Sequence, residues 1–509
     1  MVLKMNGKKD KILFWIETYQ IHFGIAKALI EKYDCEPYAL IVSSPKQKPF
    51  FDNQELIKFK KSWYLRDNVD LINHKPDIEK LKLFENKFSI SLRKIIYGDR
   101  FFYKYNKYHK FTDEKIFSIL QQELEFYIQI LDEIKPDYVL IRNPEFQDIQ
   151  LFYEICKSKK IQVLILSYTR FSDKWMLSSK ADDPIPLDNL DKNLEIKSFD
   201  DLIDSSKHLA FNTSLWLPKQ KSTISQKFSV LKLIFSTFHQ SNINNYRDIG
   251  KTPWTTLTKR MKLLLNSFFR ERFLNKNTIK LPPLDKPYAF FPLQMEPEER
   301  ILIKSQFFVD QLSVIKNISQ SLPVEIDLLV KEHPSMKAMG WRDLDFYKKI
   351  LEMPNVKLIH PSVSTDSLIQ NSSIIITIAG TTAFEAAFYE KPSIVFTNVI
   401  FSTLSCVFVV KILEELPDTI KKCLSSKVEL IELNHYVDKI KKSSFSADLI
   451  NLNTLASQLF GMGGFIDNNV ISESIMEKFL KEHKNEFNKL ADEHIKKIKL
   501  IKQNKNNEV

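Results

Sequence analysis

Short apolar runs alternate with helical patterns along the first part of the chain. Ile12–Glu17 and Tyr38–Val42 are largely apolar stretches typical of buried strands, and the helical pattern Gly24–Lys32 lies between them. The alternation returns further on, where Thr112 can cap a long amphipathic helix that precedes the predicted strand Tyr138–Ile141. Strands that alternate with helices in this way predict an open, mostly parallel sheet.

A second series of alternating elements begins at Tyr288. Its predicted strands are Tyr288–Phe291, Val324–Val330, Val356–Ile359, Ile374–Ile378 and Ser393–Phe396, and its predicted helices are Arg300–Leu322, Leu344–Leu351 and Ser364–Gln370, with one more after Gly380. This order is typical of a doubly wound α/β sheet. Two such sheets predict two Rossmann-like domains in tandem, with a ligand cleft between them.

The length of the chain also favours more than one domain. It has 509 residues, and single hydrophobic cores rarely serve more than about 250–300 residues. We predict a first Rossmann-like domain at 1–205, a basic helical segment at 206–285 and a second Rossmann-like domain at 286–465. The remainder, 466–509, is predicted to be a helical tail whose Lys/Asn-rich end frays.

The positive charge of the chain is concentrated in one segment. Residues 219–280 contain thirteen Lys or Arg and two acids, so this segment alone carries the formal net charge of +11 of the whole chain. Apolar residues recur within it at intervals of three and four, as on one face of a helix: Trp254, Leu257, Met261, Leu264 and Phe268. Two interpretations stay open. Either this stripe packs on a core between the domains, or it lies on an anionic membrane surface.

Several classes of protein and site are disfavoured. The four cysteines show no zinc-ligand spacing, and the apolar run Ile12–Ile16 is too short for an export signal. The uncharged run Pro392–Val410 contains six Ser, Thr or Asn residues, which argues against a membrane span. Neither a P-loop nor a GxGxxG motif occurs, and Asp343-Leu344-Asp345 is interpreted as a helix N-cap. We therefore predict no metal and no cofactor.

The segment around Gly380 is the first candidate site. An apolar strand ends there, and good helix formers follow Thr381 and Thr382. Glycine permits close approach of the backbone, and the amides of Thr381, Thr382 and Ala383 at a helix N-terminus suit a phosphate. Glu385, one turn later, can reach ribose hydroxyls. The alternative, a tight turn followed by a solvated Glu385, stays open.

Two further polar motifs follow predicted strands. In the tetrapeptide KEHP at 331–334, the proline restricts His333 to extended geometry, and the imidazole can donate a hydrogen bond to a phosphate oxygen. A simple loop start is the alternative. The turn at 291–298 carries Gln294 and Glu296 between two prolines, and this is more rigidity than a plain connection needs. Glu296 is the better candidate for chemistry.

These motifs together resemble a known family. The order FPLQMEPE, KEHP and FYKKILEMPNVKLIHPSVSTDSLIQNSSIIITIAGTTAFEAAFYEKPSIVF is similar to the C-terminal half of capsular polysaccharide biosynthesis proteins, a group that includes bacterial Kdo transferases. The similarity covers Tyr288 to about Phe401. In the first domain, SYTRFSDKWMLSS resembles the family's segment facing the cleft and brings in Arg170 and Asp173. The resemblance implies a GT-B glycosyltransferase whose second domain binds a nucleotide-activated sugar.

Roles for single residues follow from the resemblance and the motifs together. The expected donor-binding residues are Lys331, His333, Gly380, Thr381, Thr382 and Glu385. Gln294 and Glu296 match the family's Gln-x-Glu motif and are expected to be catalytic, with Asp173 as the other candidate carboxylate. His22 and Arg170 are assigned to the acceptor side. A helix N-terminus with His and Lys can neutralise a departing phosphate, so metal-independent transfer is expected.

The expected partners are a nucleotide-sugar donor, CMP-Kdo-like or another, and a capsular glycan or its lipid-linked precursor. An anionic membrane surface is the further candidate partner, and the predicted location is the cytoplasm or the cytoplasmic face of the membrane. The alternatives are a nucleotide-sugar epimerase, a polyol-phosphate transferase and a non-catalytic, membrane-associated glycan-binding protein. Nucleic-acid binding is disfavoured, because the basic segment resembles no nucleic-acid-binding module.

Overall fold

Two separate β-sheets organise the computed structural model, which describes residues 9–69, 75–180, 183–188, 191, 193–206, 246–247, 249–281, 286–460 and 470–507. One sheet has seven strands and the other has six. The second sheet is parallel throughout, and the first is parallel except at one edge. The predicted fold class, two Rossmann-like α/β domains in tandem, is confirmed.

The first sheet has the strand order β13-β6-β5-β4-β1-β2-β3. Its strands are β1 (Asp10–Glu17), β2 (Cys35–Val42), β3 (Lys61–Tyr64), β4 (Tyr138–Arg142), β5 (Gln162–Tyr168), β6 (Lys174–Ser178) and β13 (Phe445–Ser446). The helices of this part are α1 (Ile21–Lys32), α2 (Lys48–Asn53), α3 (Ile78–Phe88), α4 (Leu92–Gly98), α5 (Asp113–Ile134) and α6 (Gln147–Ser158), with a 3₁₀ turn at Leu65–Asp67. The next helix, α7 (Phe199–Ser206), lies within the predicted first domain of 1–205, but its Leu202 is buried in the core of the second domain.

Both faces of this sheet are covered. Ile12, Phe14 and Ile16 of β1 enter the core on one side, whereas Leu13 and Trp15 enter the core on the other. A strand buried on both faces reads as a continuous apolar run, and that run predicted β1 from the sequence.

The second sheet has the strand order β12-β11-β10-β7-β8-β9. Its strands are β7 (Tyr288–Pro292), β8 (Asp327–Lys331), β9 (Val356–Ile359), β10 (Ile374–Thr377), β11 (Ser393–Val395) and β12 (Val407–Val409). Its helices are α9 (Gln311–Ser321), α10 (Leu344–Leu351), α11 (Thr365–Gln370), α12 (Thr382–Phe388), α13 (Leu416–Ser425) and α14 (Leu430–Ser443), with short helical turns at Arg300–Lys304, Gln306–Phe308, Pro334–Lys337 and Leu413–Glu415. Successive strands run outward from β7 to one edge and from β10 to the other. The strand order therefore reverses between these two strands, which is where open α/β sheets bind ligands.

The helix predicted at Arg300–Leu322 is broken. A π-helical turn covers Arg300–Lys304, a 3₁₀ turn follows, and the regular helix α9 begins only at Gln311. Asp310 caps α9 by accepting a hydrogen bond from the Leu312 amide, and this contact starts a new helix within the periodic pattern. Phe307, in the gap, is 96% exposed.

After α14 the chain returns to the first domain. β13 pairs with β6, and the helices α15 (Leu449–Phe460), α16 (Glu473–Glu482) and α17 (Lys484–Asn507) follow. Phe487 of α17 packs so closely on Gly24 that a Cβ there would lie 2.3 Å from the phenyl ring. The tail is helical, as predicted, but it docks on the first domain instead of standing apart from it. Residues 445–460 likewise contribute to the first domain rather than the second.

The described part of the basic segment is dominated by one long helix, α8 (Pro253–Asn277), which Thr252 caps. The segment's residues 207–245, 248 and 282–285 lie outside the described residues. Leu274 of α8 is buried in the core of the second domain, whereas the predicted apolar stripe faces outward. The interpretation that this stripe packs on a core is therefore wrong for Trp254, Met261, Leu264 and Phe268, which are all more than half exposed. Among the described residues, no helix is both long and apolar enough to cross a bilayer.

Candidate functional site

One side chain, Gln294, links the two central strands at the point where the strand order reverses. Gln294 follows β7 and is almost fully buried, and its Nε2 donates a hydrogen bond to Thr377 Oγ1, at the end of β10, over 2.8 Å. Its backbone amide donates to the side-chain oxygen of Gln311 over 2.8 Å. Gln294 is thus held at the predicted site, where it joins the loops that follow the two central strands.

Gly380 lies directly against this contact. A Cβ at this position would lie 2.5 Å from Gln294 Nε2 and 2.6 Å from Thr377 Oγ1. The glycine is therefore required for packing at the reversal point, whether or not a phosphate binds there. Arg300 holds the same loop by donating to the carbonyl of Ala379 over 2.9 Å.

The amides predicted to bind a phosphate are only partly available. Those of Gly380 and Ala383 are engaged, the first with Thr377 Oγ1 and the second with the Gly380 carbonyl, each over 3.3 Å. Within the described residues, the amides of Thr381 and Thr382 have no hydrogen-bond partner. The prediction that three amides can bind a phosphate is therefore wrong for Ala383. Two consecutive amides, those of Thr381 and Thr382, remain for this role.

Glu385 is held by the start of its own helix. Its Oε1 accepts a hydrogen bond from Thr381 Oγ1 over 2.9 Å, and burial raises the pKa of its carboxyl group. It is half-buried and carries its charge close to Tyr168 of the first domain. A ribose contact of Glu385 remains a prediction, because the carboxylate already has a local partner.

His333 is a neutral hydrogen-bond donor. Its Nδ1 accepts the Ser335 amide over 3.2 Å, so the neutral ring carries its proton on Nε2. Burial, reinforced by the positive charges of Lys331 and Arg342, lowers the pKa of His333 to about 4. At neutral pH the ring therefore offers a single N–H donor rather than a positive charge.

Lys331 supplies the cation next to this donor. Its Nζ donates to Thr365 Oγ1 over 2.7 Å, and burial lowers its pKa to about 8. A desolvated ammonium group gains more from a bound anion than an exposed one does. The strand end therefore presents a neutral donor and a buried cation side by side.

Glu296 is an ion-paired carboxylate. Arg342 donates to its Oε1 over 2.7 Å and Gln311 over 2.6 Å, while Tyr105 of the first domain donates to its Oε2 over 3.1 Å. Burial by itself would raise the pKa of Glu296, but Arg342, Gln311 and Lys104 together hold it below its usual value. A carboxylate held in this way is a weak base and a strong fixed negative charge.

Arg342 is a site residue that the sequence analysis missed. Its guanidinium binds Glu296, the fully buried Glu332 over 2.8 Å, and the carbonyl of Gln294. It therefore fixes the loop after β7 to the loop after β8. Its signal in the sequence was weak, because Arg342 lies between a turn and the start of α10. The adjacent Asp343 also departs from its prediction: its carboxylate pairs with Arg270, and no cap hydrogen bond forms.

The first-domain residues predicted for the acceptor side are in different environments. Arg170 has a left-handed backbone conformation (φ 66°), and its Cζ lies 5.3 Å from the centroid of the Tyr168 ring. Its positive charge lowers the pKa of Glu298 in the second domain. Asp173 is exposed, and its carbonyl accepts the Ala447 amide. His22 is buried, and burial, followed by the nearby His494, lowers its pKa to about 3.

Glu298 is a second cleft carboxylate. Burial raises the pKa of its carboxyl group, and three arginines counteract that rise: Arg300, Arg170 and Arg100. Two of these arginines come from the first domain, as does Asn143, which donates to Glu299 over 2.8 Å. The two domains thus meet at the loop that follows β7. Within the described residues, no group of carboxylate, His or Cys side chains has the arrangement of a metal site.

A comparison with protein families finds one match. The model of the capsule polysaccharide biosynthesis proteins matches residues 197–405. This confirms the resemblance to the capsule polysaccharide biosynthesis family. The matched range covers α8 and the second sheet up to the residues before β12, and it includes every predicted donor-binding residue. It does not reach the first sheet or the C-terminal helices. A comparison with curated proteins finds no match.

Solved structures of low similarity complete the comparison. KpsC of Thermosulfurimonas dismutans, a beta Kdo 2,4 transferase, is 11% identical with a TM-score of 0.30, over 63% of this chain and 87% of that chain. Its beta Kdo 2,7 transferase is 10% identical with a TM-score of 0.28, over 61% and 79%. UDP-GlcNAc 2-epimerase of Methanocaldococcus jannaschii is 14% identical with a TM-score of 0.23, over 85% and 99%. Scores this low do not separate a transferase from an epimerase.

Proposed function

We propose that this protein is a glycosyltransferase that moves a sugar from a nucleotide-activated donor to a capsular or surface polysaccharide, or to its lipid-linked precursor. The family match supports the assignment, since it spans the donor-side residues. The observation that carries it is the pairing of the His333 donor with the buried Lys331 at the carboxyl end of β8, one strand from the reversal point. Both groups suit an anionic leaving group.

The donor phosphate is proposed to lie against the ends of β8 and β10. His333 Nε2 donates to a phosphate oxygen, Lys331 supplies positive charge, and the amides of Thr381 and Thr382 bind a second oxygen. When the bond between sugar and phosphate breaks, negative charge develops on the departing phosphate. Donors that are already positioned stabilise that charge without reorganisation, so we propose that no metal is needed.

The two cleft carboxylates are proposed to act on the sugar and the acceptor. The lowered pKa of Glu296 suits it to stabilise positive charge that develops on the sugar, with Gln294 holding the loop in place. The raised pKa of Glu298 suits it better to take the proton of the acceptor hydroxyl. Arg170, which faces Glu298, is proposed to help position the acceptor. Asp173 is the weakest of the three carboxylate candidates because it is exposed.

The test is a thermal-shift screen followed by product analysis. A nucleotide that matches the site raises the melting temperature by mass action, so CMP, UDP, GDP and dTDP are compared with and without EDTA. A labelled donor with the cognate nucleotide is then incubated with and without glycan acceptors. Label that moves to an acceptor in the presence of EDTA supports the proposal. Isomerised donor without acceptor indicates an epimerase, and no shift with any nucleotide indicates a binding protein without turnover.

A further inference from the structure

The outer face of helix α8 is an exposed apolar surface. Six large apolar side chains point outward: Trp254, Met261, Leu264, Leu265, Phe268 and Phe269. Their exposed fractions range from 52% at Met261 to 71% at Trp254. Isolated exposed apolar residues are common, but a contiguous group of this size on one helix indicates an interaction surface.

The six residues occupy one side of the helix. At 3.6 residues per turn they fall within an arc of about 140°. The opposite side is the one that docks on the protein: Leu274 is buried, Leu263 lies against Gly340, and Arg270 donates to the Gly340 carbonyl over 2.9 Å. The orientation of α8 is therefore fixed by contacts on one face, and its apolar face is held toward the outside.

Basic side chains flank this apolar face. Lys262 and Arg260 project at its two margins, Arg272 and Lys276 lie toward its C-terminal end, and all four are exposed. No ion pair of these four is found within the described part of the chain. Long basic side chains at the rim of an apolar helix face can place their charges at lipid phosphates while the apolar residues enter the interface.

We propose that α8 binds the surface of an anionic lipid bilayer through this face and lies parallel to it. The charge at the rim favours a bilayer over a second copy of the chain, because two copies facing each other would bring their basic rims together. A soluble acidic partner would match the charge but would leave Trp254 and the two phenylalanines without an apolar environment. The proposal does not depend on the proposed activity.

The experiment is vesicle flotation with the full chain. Vesicles of phosphatidylcholine alone are compared with vesicles containing about one third phosphatidylglycerol, at low and high salt. We expect binding to the anionic vesicles, weakened by salt. The triple variant Trp254→Ser, Phe268→Ser, Phe269→Ser should bind at least about tenfold more weakly, since it removes most of the aromatic surface.

Matched variants separate this surface from general stickiness. The control Phe307→Ser with Val324→Ser removes apolar residues that are 96% and 102% exposed but lie outside α8, and it should bind like the wild type. Arg260→Glu, Lys262→Glu, Arg272→Glu should abolish the preference for anionic vesicles, whereas Lys82→Glu, Lys421→Glu, Lys478→Glu should not. Melting temperatures check that every variant folds.

Two results would overturn the proposal. The first is absence of flotation, or equal flotation of the wild type and the aromatic triple variant. The second is a wild-type dimer that the aromatic substitutions convert to a monomer while no vesicle binding is seen, since that outcome assigns the face to a second copy. Vesicle binding requires no turnover, so a failure here leaves the proposed activity unaffected, and a failure of the activity leaves this surface unaffected.

Discussion

At the scale of single residues, His333 shows how the backbone selects a chemical form. The Ser335 amide occupies Nδ1 and burial lowers the ring pKa to about 4, so the donor at Nε2 persists across neutral pH. His333→Ala should weaken donor binding by about ten- to a hundredfold, as for a lost hydrogen bond to a charged group, and should lower turnover with it. His333→Gln, which keeps an N–H donor, should recover part of the binding. Calorimetric titration with nucleotide measures the affinity of both variants. An affinity that falls as the pH rises through 6.5 would show that His333 acts as a cation instead.

Gly380 is the residue at which packing and binding overlap. Gly380→Ala places a methyl group against Gln294 Nε2 and Thr377 Oγ1, so we expect a loss of about 1–3 kcal/mol in unfolding free energy even without nucleotide. Shortening one neighbour in Gln294→Ala/Gly380→Ala should cost less than the sum of the two single changes. Urea unfolding of the four proteins of this cycle provides the measurement. Unchanged stability with lost nucleotide binding would assign the glycine to the phosphate alone.

At the scale of elements, the central strands were predictable, whereas the short strands at the sheet edges, β3, β12 and β13, and the polar contacts between loops were not. The apolar runs that became β1 and β10 are buried on both faces, so composition alone predicted them. The apolar spacing after Arg300 predicted one continuous helix, and this prediction was wrong. Asp310 starts a new helix and Phe307 points outward, and neither feature changes the apolar spacing. Arg342 was missed because its partners Glu296 and Glu332 are brought to it only by the parallel arrangement of β7 and β8.

The docking of α17 on α1 predicts an acid-sensitive fold. His22 on α1 and His494 on α17 are buried, and burial lowers their pKa values to about 3 and about 4. Between about pH 6.5 and 4 the unfolded chain binds protons that these folded histidines do not, so unfolding free energy decreases as the pH falls. His494→Gln cannot be protonated and should show a smaller decrease. Urea unfolding at pH 7 and pH 5 tests this, with His360→Gln, a half-buried position outside this helix contact, as the control. Equal pH dependence in all three proteins would contradict it.

At the scale of the whole molecule, the candidate site is built from both domains. Tyr105 and Lys104 reach Glu296 and Asn143 reaches Glu299, so three side chains of the first domain contact the loop after β7. Arg170 and Arg100 act electrostatically on Glu298 of the same loop. These contacts join residues more than a hundred positions apart, which is why the sequence placed candidate residues on both sides of a cleft but could not pair them. After burial, the strongest effects on the pKa values of Glu296 and Glu298 come from Arg342 and Arg300 of the second domain, and first-domain cations lower both pKa values further.

That arrangement makes the division of labour between the two carboxylates testable. Glu296→Gln should leave nucleotide affinity nearly intact and lower kcat by about a hundredfold or more, because a fixed negative charge beside the sugar is lost. Glu298→Gln should lower kcat similarly and also remove the acidic limb of the pH–rate profile, since the group with the raised pKa is then absent.

Tyr105→Phe is the control for Glu296, because it removes one hydrogen bond to the carboxylate and keeps its charge. It should reduce kcat only modestly. Asp173→Asn should have little effect, as its side chain is exposed. If Glu296→Gln keeps near-full kcat while Asp173→Asn abolishes it, the catalytic carboxylate lies in the first domain, and Glu296 serves only to bind Arg342.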